Sequence, residues 1–419
     1  MKKGINRNYL LLTMEGTLFM GGMTILSTGS VIALFINAMT GSNTLIGLAV
    51  TLQALLLSFG QLLGAPLVNT ILELPKTLSK IKLVQRSTPF LIALPLFLGA
   101  PEYWSITIFL VLFSFFFFVA GVTTVLWGEL CARAVEFELR GHMMGLLTAL
   151  GGLLSLVVGL LLTWSLATPA FDDNQRFAWI FSLAGLLLLL SVVFIRLVQD
   201  PTPMSKPEKL NIKKFYAKVP SIIRYNKPLQ HALIARIPSF VGFSSIPFLI
   251  VFGANSLRLS DGQISWLVYA NIIGGIVGGV LLGEASRRYG NKSVILLSNL
   301  GAVIAMCMAV FLSIYPTLGY LWLFLLCLLG SLTTSNWFGY LNYFLDIAPI
   351  KDRSQYQIIG QAIAIPFSFS GIAIGAMVDI YGYIVMFIVC GIFSLFSVLL
   401  SLRLLSKDKV VTSAHNKKI

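Results

Sequence analysis

Long apolar segments separated by short polar gaps run along almost the whole chain. A helix needs about twenty mostly apolar residues to cross the hydrocarbon core of a bilayer, and twelve segments reach or approach that length. The pattern therefore predicts an all-α polytopic membrane protein with about twelve transmembrane helices. The predicted spans are 9–38, 45–72, 82–99, 105–131, 142–166, 177–197, 229–252, 263–282, 294–314, 319–345, 356–378 and 381–405.

The third predicted span is the least regular of the twelve. Lys82 and Arg86 lie in its first turns, and Pro89 and Pro95 interrupt it. Charged residues are expensive inside a span and proline breaks the helical hydrogen-bond pattern. We therefore count Lys82 and Arg86 with the basic residues at the cytoplasmic end of this span.

A polar stretch at 198–228 divides the spans into two sets of six, and it holds five lysines between positions 206 and 218. A polar residue precedes an arginine by the same spacing at two helix ends, Glu129 to Arg140 and Asn342 to Arg353. Six-helix halves related by an axis along the membrane normal characterise one large transporter class. The sequence predicts an N-terminal half at 1–197, a cytoplasmic basic linker at 198–228, a C-terminal half at 229–405 and a cytoplasmic tail at 406–419.

Composition and charge agree with a bilayer environment. The chain is 57% hydrophobic and 11% charged, whereas soluble domains carry about 25% charged residues. With the N-terminus in the cytoplasm, the inside segments hold 27 basic residues and the outside loops hold 2, as the positive-inside rule requires. The net charge of +14 thus reflects topology and not a basic face for nucleic acid. We expect a multi-pass protein of the cell membrane with both termini cytoplasmic.

The sequence gives little support for metal or enzyme chemistry. Its four cysteines lie in or beside apolar segments without metal-ligand spacing, and its three histidines are scattered. A membrane-embedded transferase would need a converging cluster of acids, histidines or metal ligands. We predict no metal, no cofactor and no enzymatic activity. A membrane enzyme and a non-transporting sensor or immunity protein remain as alternatives.

The loop after the eighth span reads GEASRRYGNK. It resembles the loop signature of the major facilitator superfamily (MFS), Gly-x-x-x-Asp-Arg-x-Gly-Arg-Lys, at Arg288, Gly290 and Lys292. Arg287 stands at the acidic position and Asn291 at the second arginine. The segment EGTLFMGG in the first span and the segment NYFLDIAPIKDRSQY, which begins at the end of the tenth span, further resemble a largely uncharacterised MFS subfamily common in Gram-positive bacteria.

This resemblance implies the MFS fold of two pseudo-symmetric six-helix halves and secondary transport of a small molecule by alternating access. It implies no particular substrate. The fifth span lacks the Gly-Pro pair of drug antiporters, and the sugar-porter signature Pro-Glu-Ser is absent after the sixth span. We expect a proton-coupled monomer. Efflux of an amphipathic compound is favoured, because the candidate site residues are mostly apolar or aromatic, and nutrient import is the alternative.

Two ionisable residues lie within spans of the two halves at similar depths. Glu15 lies about six residues into the first span, roughly 9 Å along a helix, and Arg236 occupies an equivalent place in the seventh. An ionisable group in a span is by default a functional hypothesis. Glu15 is either a proton or substrate site or a structural partner of a buried cation, for which Arg236 and a linker lysine are candidates.

Uncharged polar and helix-end residues complete the candidate set. Amides in spans either bond neighbouring helices or line a substrate cavity, and a deep tryptophan could contact an apolar substrate; these candidates are Gln53, Asn271, Asn336, Trp337 and Gln361. Charges at cytoplasmic helix ends either latch one conformation or complement the helix dipole; these are Glu129, Arg140, Arg288, Asp346 and Arg353. The glycine pairs at 274–275 and 278–279 are expected to allow close helix packing.

Overall fold

The computed structural model describes residues 7–167, 172–200, 219–257, 259–315, 336–348 and 353–405, together with 217, 323–325 and 329. Every regular element within these ranges is a helix. The first eight α-helices are α1 (Arg7–Ile25), α2 (Val31–Thr40), α3 (Asn43–Leu67), α4 (Leu74–Arg86), α5 (Thr88–Phe97), α6 (Glu102–Ala134), α7 (Phe137–Ala167) and α8 (Asp173–Leu197). A short 3-10 turn, Val68–Thr70, follows α3.

Nine further α-helices follow in the remainder of the described chain. They are α9 (Val219–Tyr225), α10 (Lys227–Phe243), α11 (Ile246–Asn255), α12 (Asp261–Tyr289), α13 (Asn291–Ile314), α14 (Asn336–Ile347), α15 (Arg353–Ala362), α16 (Ala364–Phe367) and α17 (Ser370–Ser401). The helix α17 contains a break at Gly382, whose φ is +81°. A left-handed φ is readily adopted by glycine, and the break falls at the start of the predicted twelfth span, 381–405.

Within the described residues, eight helical stretches are long and apolar enough to cross a membrane. The difference from twelve has local causes. The first predicted span is divided into α1 and α2, the third into α4 and α5, and the last two are continuous as 358–401. In the tenth, residues 319–322, 326–328 and 330–335 lie outside the described residues. The all-α polytopic architecture predicted from the sequence is confirmed.

The first span of each predicted half is interrupted near its middle. Residues 26–30 separate α1 from α2, and Ser244 and Ser245 separate α10 from α11. Pro247 stands in the first turn of α11, where its missing N–H is tolerated. The buried charges of both first spans lie on the helix that precedes the interruption.

The chain forms two compact units. Unit 1 comprises Met1–Ser27, Ala38–Thr40 and Leu52–Phe215, and unit 2 comprises Thr28–Asn37, Gly41–Thr51 and Tyr216–Ile419. The division at 215–216 falls within the predicted linker. In contrast to the predicted boundaries, 28–37 and the first nine residues of α3 belong to unit 2.

In unit 1, α1 packs against α7 and α8, and α4 packs against α6 and α8. The apolar cluster at one end of these helices contains Tyr9, Leu12, Leu78 and Leu126, all fully buried. It therefore holds α1, α4 and α6 together one turn away from Glu15.

In unit 2, the first turns of α3 pack against α17 with backbones in direct contact. A Cβ at Gly375 would lie 2.3 Å from the carbonyl oxygen of Asn43, so only glycine fits there. The Asp379 carboxylate accepts hydrogen bonds from the backbone N–H and side chains of Asn43 and Thr44, at 2.6–3.2 Å. It thereby satisfies N–H groups that the helix start leaves without an intrahelical acceptor.

One glycine of each pair in α12 does not have the packing role expected from the sequence, whereas Gly274 and Gly278 are buried and their close packing stays a prediction. A Cβ added at Gly275 or Gly279 would meet no atom of the described residues within 4 Å. These positions face open space, so the small side chain is not required there by a neighbouring helix.

Candidate functional site

The buried charge cluster of unit 1 centres on Glu15 of α1. Its Oε1 atom accepts hydrogen bonds from Lys82 Nζ at 2.8 Å and from Arg86 Nη2 at 2.5 Å. All three side chains are at most 5% exposed. We call Glu15, Lys82 and Arg86 the triad. The sequence left the role of Glu15 open, with Arg236 and a linker lysine as candidate partners, and the described partners are Lys82 and Arg86 instead. These two residues, counted from the sequence with the topology charges, are buried.

The spacing of residues along α4 explains why two basic residues are buried. Leu74, Leu78, Lys82 and Arg86 follow one another at four-residue intervals, which places them on one face of the helix. The two leucines are fully buried and fix this face toward the interior of unit 1. The cations are thereby carried inward, where Glu15 is the counter-charge.

Polar and aromatic groups surround the two cations. Arg86 Nη1 donates to Ser191 Oγ of α8, and its guanidinium lies over the ring of Phe19 at 4.8 Å. Lys82 Nζ lies 5.9 Å from the ring of Trp127 on α6. Such cation–π contacts partly replace the lost hydration of a buried cation.

Two hydrogen-bond donors near the triad lack an acceptor among the described residues. These are Arg86 Nε and Trp127 Nε1, both buried. Most buried polar atoms in proteins have a partner. The triad region therefore has unused capacity to donate hydrogen bonds to an acceptor.

The second buried charge, Arg236 of α10, lies in unit 2. Its Nη1 donates to the carbonyl oxygen of Gly360 at 2.9 Å and its Nη2 to Gln361 Oε1 at 3.3 Å. The guanidinium also lies 5.2–5.6 Å from aromatic ring centroids, namely those of Phe240, Tyr340 and Phe344. No salt bridge to it is found within the described part of the chain, so neutral dipoles and π-faces stabilise this cation.

A hydrogen-bonded network of neutral groups continues from this region. Ser239 Oγ donates to Asn299 Oδ1 at 3.1 Å, and Asn336 Nδ2 donates to the same oxygen at 3.1 Å. Ser239 Oγ also lies 2.6 Å from Ser397 Oγ. Of the predicted amides, Asn336 and Gln361 are thus buried and bonded to neighbouring helices. The network connects α10, α13, α14 and α17.

The other predicted span residues are not brought into these clusters by any described contact. Gln53 is half-buried on α3 of unit 1, and Asn271 is half-buried on α12 of unit 2. The side chain of Trp337 lies outside the described residues.

The predicted cytoplasmic gate residues have local partners where their side chains are described. Glu129 accepts a hydrogen bond from Arg133 at 2.8 Å, and Arg133 also reaches Asp200 at 3.6 Å. In unit 2, Glu284 accepts from Arg288, and Asp346 accepts from Asn291 at 2.7 Å; these contacts join residues of the MFS-like loop to the end of α14. The side chains of Arg140 and Arg353 lie outside the described residues.

The site offers charge and hydrogen bonds but no metal-binding geometry. Among the described residues, no group of three histidine, cysteine, aspartate or glutamate side chains could hold a metal ion. The triad can gain or lose a proton and can exchange one carboxylate for another acceptor. Proton exchange and replacement of the acceptor are both reversible binding steps, and neither breaks a covalent bond of a substrate.

Comparison with known proteins identifies the fold. Residues 232–418 match the family model described as Major Facilitator Superfamily. No match was found among curated protein sequences. The matched range includes Arg236, a candidate site residue from the sequence. It also includes Arg288, Gly290 and Lys292, the three residues that match the MFS loop signature.

Solved structures of transporters match nearly the whole chain. A D-xylose-proton symporter has a TM-score of 0.72 and 16% identity, covering 95% of this chain and 96% of that one. The nucleoside transporter NupG has a TM-score of 0.71 and 13% identity, and the match covers 95% of this chain and 98% of that one. A third match is the xylose transporter XylE from E. coli in a partially occluded inward open conformation. Its TM-score is 0.70 and its identity 15%, and the match covers 96% of this chain and 98% of that one. The family match and these folds are those of transporters and not of enzymes. The fold predicted from the resemblance is confirmed, and the subfamily stays a prediction: this is a polytopic membrane protein with the major facilitator superfamily fold.

Proposed function

We propose that the protein is a secondary active transporter that moves a small molecule across the cell membrane by alternating access, driven by protons that bind Glu15. The observation that carries the proposal is the contact of a buried carboxylate with two cations, at 2.8 and 2.5 Å. No other acid of the sequence lies within a predicted span and away from its ends. A carboxylate held at such a depth is costly and typically functional.

Protonation gives Glu15 two states with different contacts. The ionised carboxylate attracts both Lys82 and Arg86, and the neutral acid attracts neither by charge. A ligand shifts a conformational equilibrium by the difference in its affinity for the two states. A proton that binds Glu15 more strongly in one conformation therefore drives the protein toward that conformation.

The proposed moving bodies are the halves 1–197 and 229–405, with both termini in the cytoplasm. Charges at the cytoplasmic helix ends would latch one state, with Arg140 and Arg353 at equivalent positions of the halves. The local pairs of Glu129, Arg288 and Asp346 support an ordered network at these ends.

Direction and substrate belong to the same proposal. Efflux is the prediction from the sequence, which expected a mostly apolar and aromatic site; of the named candidates outside the charged pair, Trp337 is the aromatic one and the other four are amides. Import is the second candidate, because the triad adds a buried charged cluster to these candidates. Similar folds include a proton symporter of D-xylose, and a proton symporter uses an inward proton gradient for uptake.

The experiment begins with a deletion strain, screened for growth and toxicity across a compound library to find the transported compound. Purified protein in proteoliposomes is then given a pH gradient. Glu15→Gln should abolish gradient-driven accumulation and retain exchange at equal concentrations, because the amide resembles the protonated carboxyl. Glu73→Gln is the matched control, since Glu73 forms an exposed pair with Lys76. Normal gradient-driven transport by a well-folded Glu15→Gln protein would refute the role of Glu15. Absence of any flux would favour a sensor or immunity protein.

A further inference from the structure

The charge balance of the triad points to the substrate class. Glu15 contributes one negative charge and Lys82 and Arg86 contribute two positive charges, all buried. The cluster therefore has one excess positive charge. Removing a charge from water is costly unless a counter-charge and hydrogen bonds compensate it. No second acid contacts the two cations in the described residues.

The donors of the cluster also exceed its acceptors. Oε1 of Glu15 receives both ionic hydrogen bonds. Arg86 Nε and Trp127 Nε1 are buried without an acceptor in the described part of the chain. Arginine can bind a carboxylate through two parallel N–H donors, but its described contacts use Nη1 and Nη2 for different partners. The unused donors are suited to the oxygen atoms of an anion.

We propose that the transported substrate is a monovalent organic anion whose carboxylate takes the place of Glu15 on Lys82 and Arg86 when Glu15 is protonated. This inference rests on the proposed function and names its substrate class. The proton binds an oxygen of Glu15, and the hydrogen bonds from Lys82 and Arg86 pass to the carboxylate oxygens of the substrate. No covalent bond other than the O–H bond forms.

The two binding events are coupled through the same cations. With Glu15 ionised, the substrate carboxylate competes with it for Lys82 and Arg86. With Glu15 protonated and no substrate bound, the cluster carries two uncompensated positive charges. Each event alone is therefore unfavourable and each favours the other, which is a reciprocal coupling free energy. One proton and one monoanion together leave the cluster charge at its original value, so their joint transport is electroneutral.

The other helices around Glu15 present no competing charge in the described side chains. α4 supplies Lys82 and Arg86, and α6 supplies the thiol-bearing Cys131 on the Lys82 side. α8 presents Ser191 to Arg86, and α7 packs Leu147 against Gly16. Protonation of Glu15 is consequently the event that changes the charge facing the two cations.

Binding is tested with matched acids and amides on the purified full-length protein. Acetate, lactate and benzoate, and their uncharged amides, are added while thermal unfolding is recorded. At least one acid should raise the unfolding temperature, and its amide should not. Above the pH at which Glu15 is half protonated, the dissociation constant of that acid should fall about tenfold for each unit that the pH is lowered, since one proton accompanies each anion.

Variants separate the roles of the triad residues. Glu15→Gln should bind the stabilising acid with no pH dependence. If that variant folds poorly, Glu15→Gln combined with Lys82→Gln restores one excess positive charge and should show the same loss of pH dependence. Glu73→Gln should bind as the unaltered protein does. A tenfold change per pH unit that survives in the double variant would overturn the assignment of the proton to Glu15.

Stoichiometry is tested in proteoliposomes on a solid-supported membrane, with protein-free vesicles as the control for passive permeation. A concentration jump of the stabilising acid should acidify the lumen faster than in the control and produce no transport current. A sustained current overturns the one-proton stoichiometry. Stabilisation by D-xylose, uridine or an amide, without stabilisation by any acid, overturns the anion inference and leaves the proposed transport function standing. No binding of any of these probes, together with no flux in the library screen, overturns both.

Discussion

Replacing Glu15 by glutamine removes the counter-charge of Lys82 and Arg86 while keeping nearly the same shape. The structure gives two ionic hydrogen bonds to Oε1, at 2.8 and 2.5 Å. Hydrogen bonds to charged groups contribute about 1.5–3 kcal/mol each, so their loss costs about 3–6 kcal/mol. Breaking a buried ion pair by removing one partner costs about 3–5 kcal/mol, and this range agrees with the cost derived from the two hydrogen bonds. Because the glutamine oxygen can still accept a hydrogen bond, we expect about 3 kcal/mol.

A double-mutant comparison shows which cation the carboxylate compensates. The melting temperature of each purified variant in detergent is the measurement. Lys82→Gln added to Glu15→Gln should recover most of the loss, because the remaining Arg86 retains its bond to Ser191. Arg236→Gln added to Glu15→Gln should not recover it, because Arg236 is bonded to Gly360 and Gln361. Because Glu15 and Arg236 have no partner in common, the losses of stability from the two substitutions should simply add.

The opposite result would refute this reasoning. If Arg236→Gln restored the stability of Glu15→Gln and Lys82→Gln did not, the carboxylate would be paired with Arg236, one of the partners that the sequence left open. The exposed control, Glu73→Gln, should leave the melting temperature unchanged, since exposed ion pairs contribute little to stability. A comparable loss in that control would mean that the assay does not report on burial.

Three further predictions concern topology and packing. Because of the asymmetry of basic residues, reporter fusions after 40, 102, 172, 258 and 316 should report outside and those after 78, 138, 210, 289, 351 and 410 inside; a cytoplasmic signal at 172 would exclude the six-helix half. Gly375→Ala should lower the melting temperature, because its Cβ would lie 2.3 Å from a carbonyl oxygen, whereas Gly279→Ala should be tolerated; equal effects would contradict the packing described. Asp379→Asn should cost about 1 kcal/mol by removing a negative charge from the start of α3, measured by thermal unfolding, and an unchanged protein would show that the contact with Thr44 is energetically neutral.

The positions of most spans could be predicted because hydrophobic length alone determines whether a helix can cross a bilayer. The interruptions of these spans could not. The division between α10 and α11 lies at Ser244 and Ser245, which are ordinary residues in an apolar run. The division between α4 and α5 had a signal, because Pro89 lies three residues after Arg86. Tertiary packing determines whether a serine pair or a proline interrupts a helix.

The two cations of the triad were missed for a different reason. Lys82 and Arg86 were included in the count of basic residues that indicates membrane topology. Their spacing, however, indicated that they lie on the buried face of α4. They continue a four-residue repeat that begins with Leu74 and Leu78. A basic residue on the apolar face of an amphipathic helix is carried into the interior with that face. The partner of Glu15 could have been sought among basic residues in register with buried leucines.

The pairing of Glu15 with Arg236 was one of the alternatives that the sequence left open, because both residues occupy the same place in equivalent helices. Residues at equivalent positions of two repeated halves are related by the symmetry of the repeat. This relation alone does not imply that Glu15 and Arg236 contact each other. The structure compensates each charge within its own unit, Glu15 by the cations of α4 and Arg236 by carbonyl oxygens and aromatic rings. Under the proposed alternating-access function, an ion pair between two bodies that move apart would have to be broken in each transport cycle, at about 3–5 kcal/mol. Local compensation avoids that barrier, so in an alternating-access protein each buried charge should have its partner on the body that carries it.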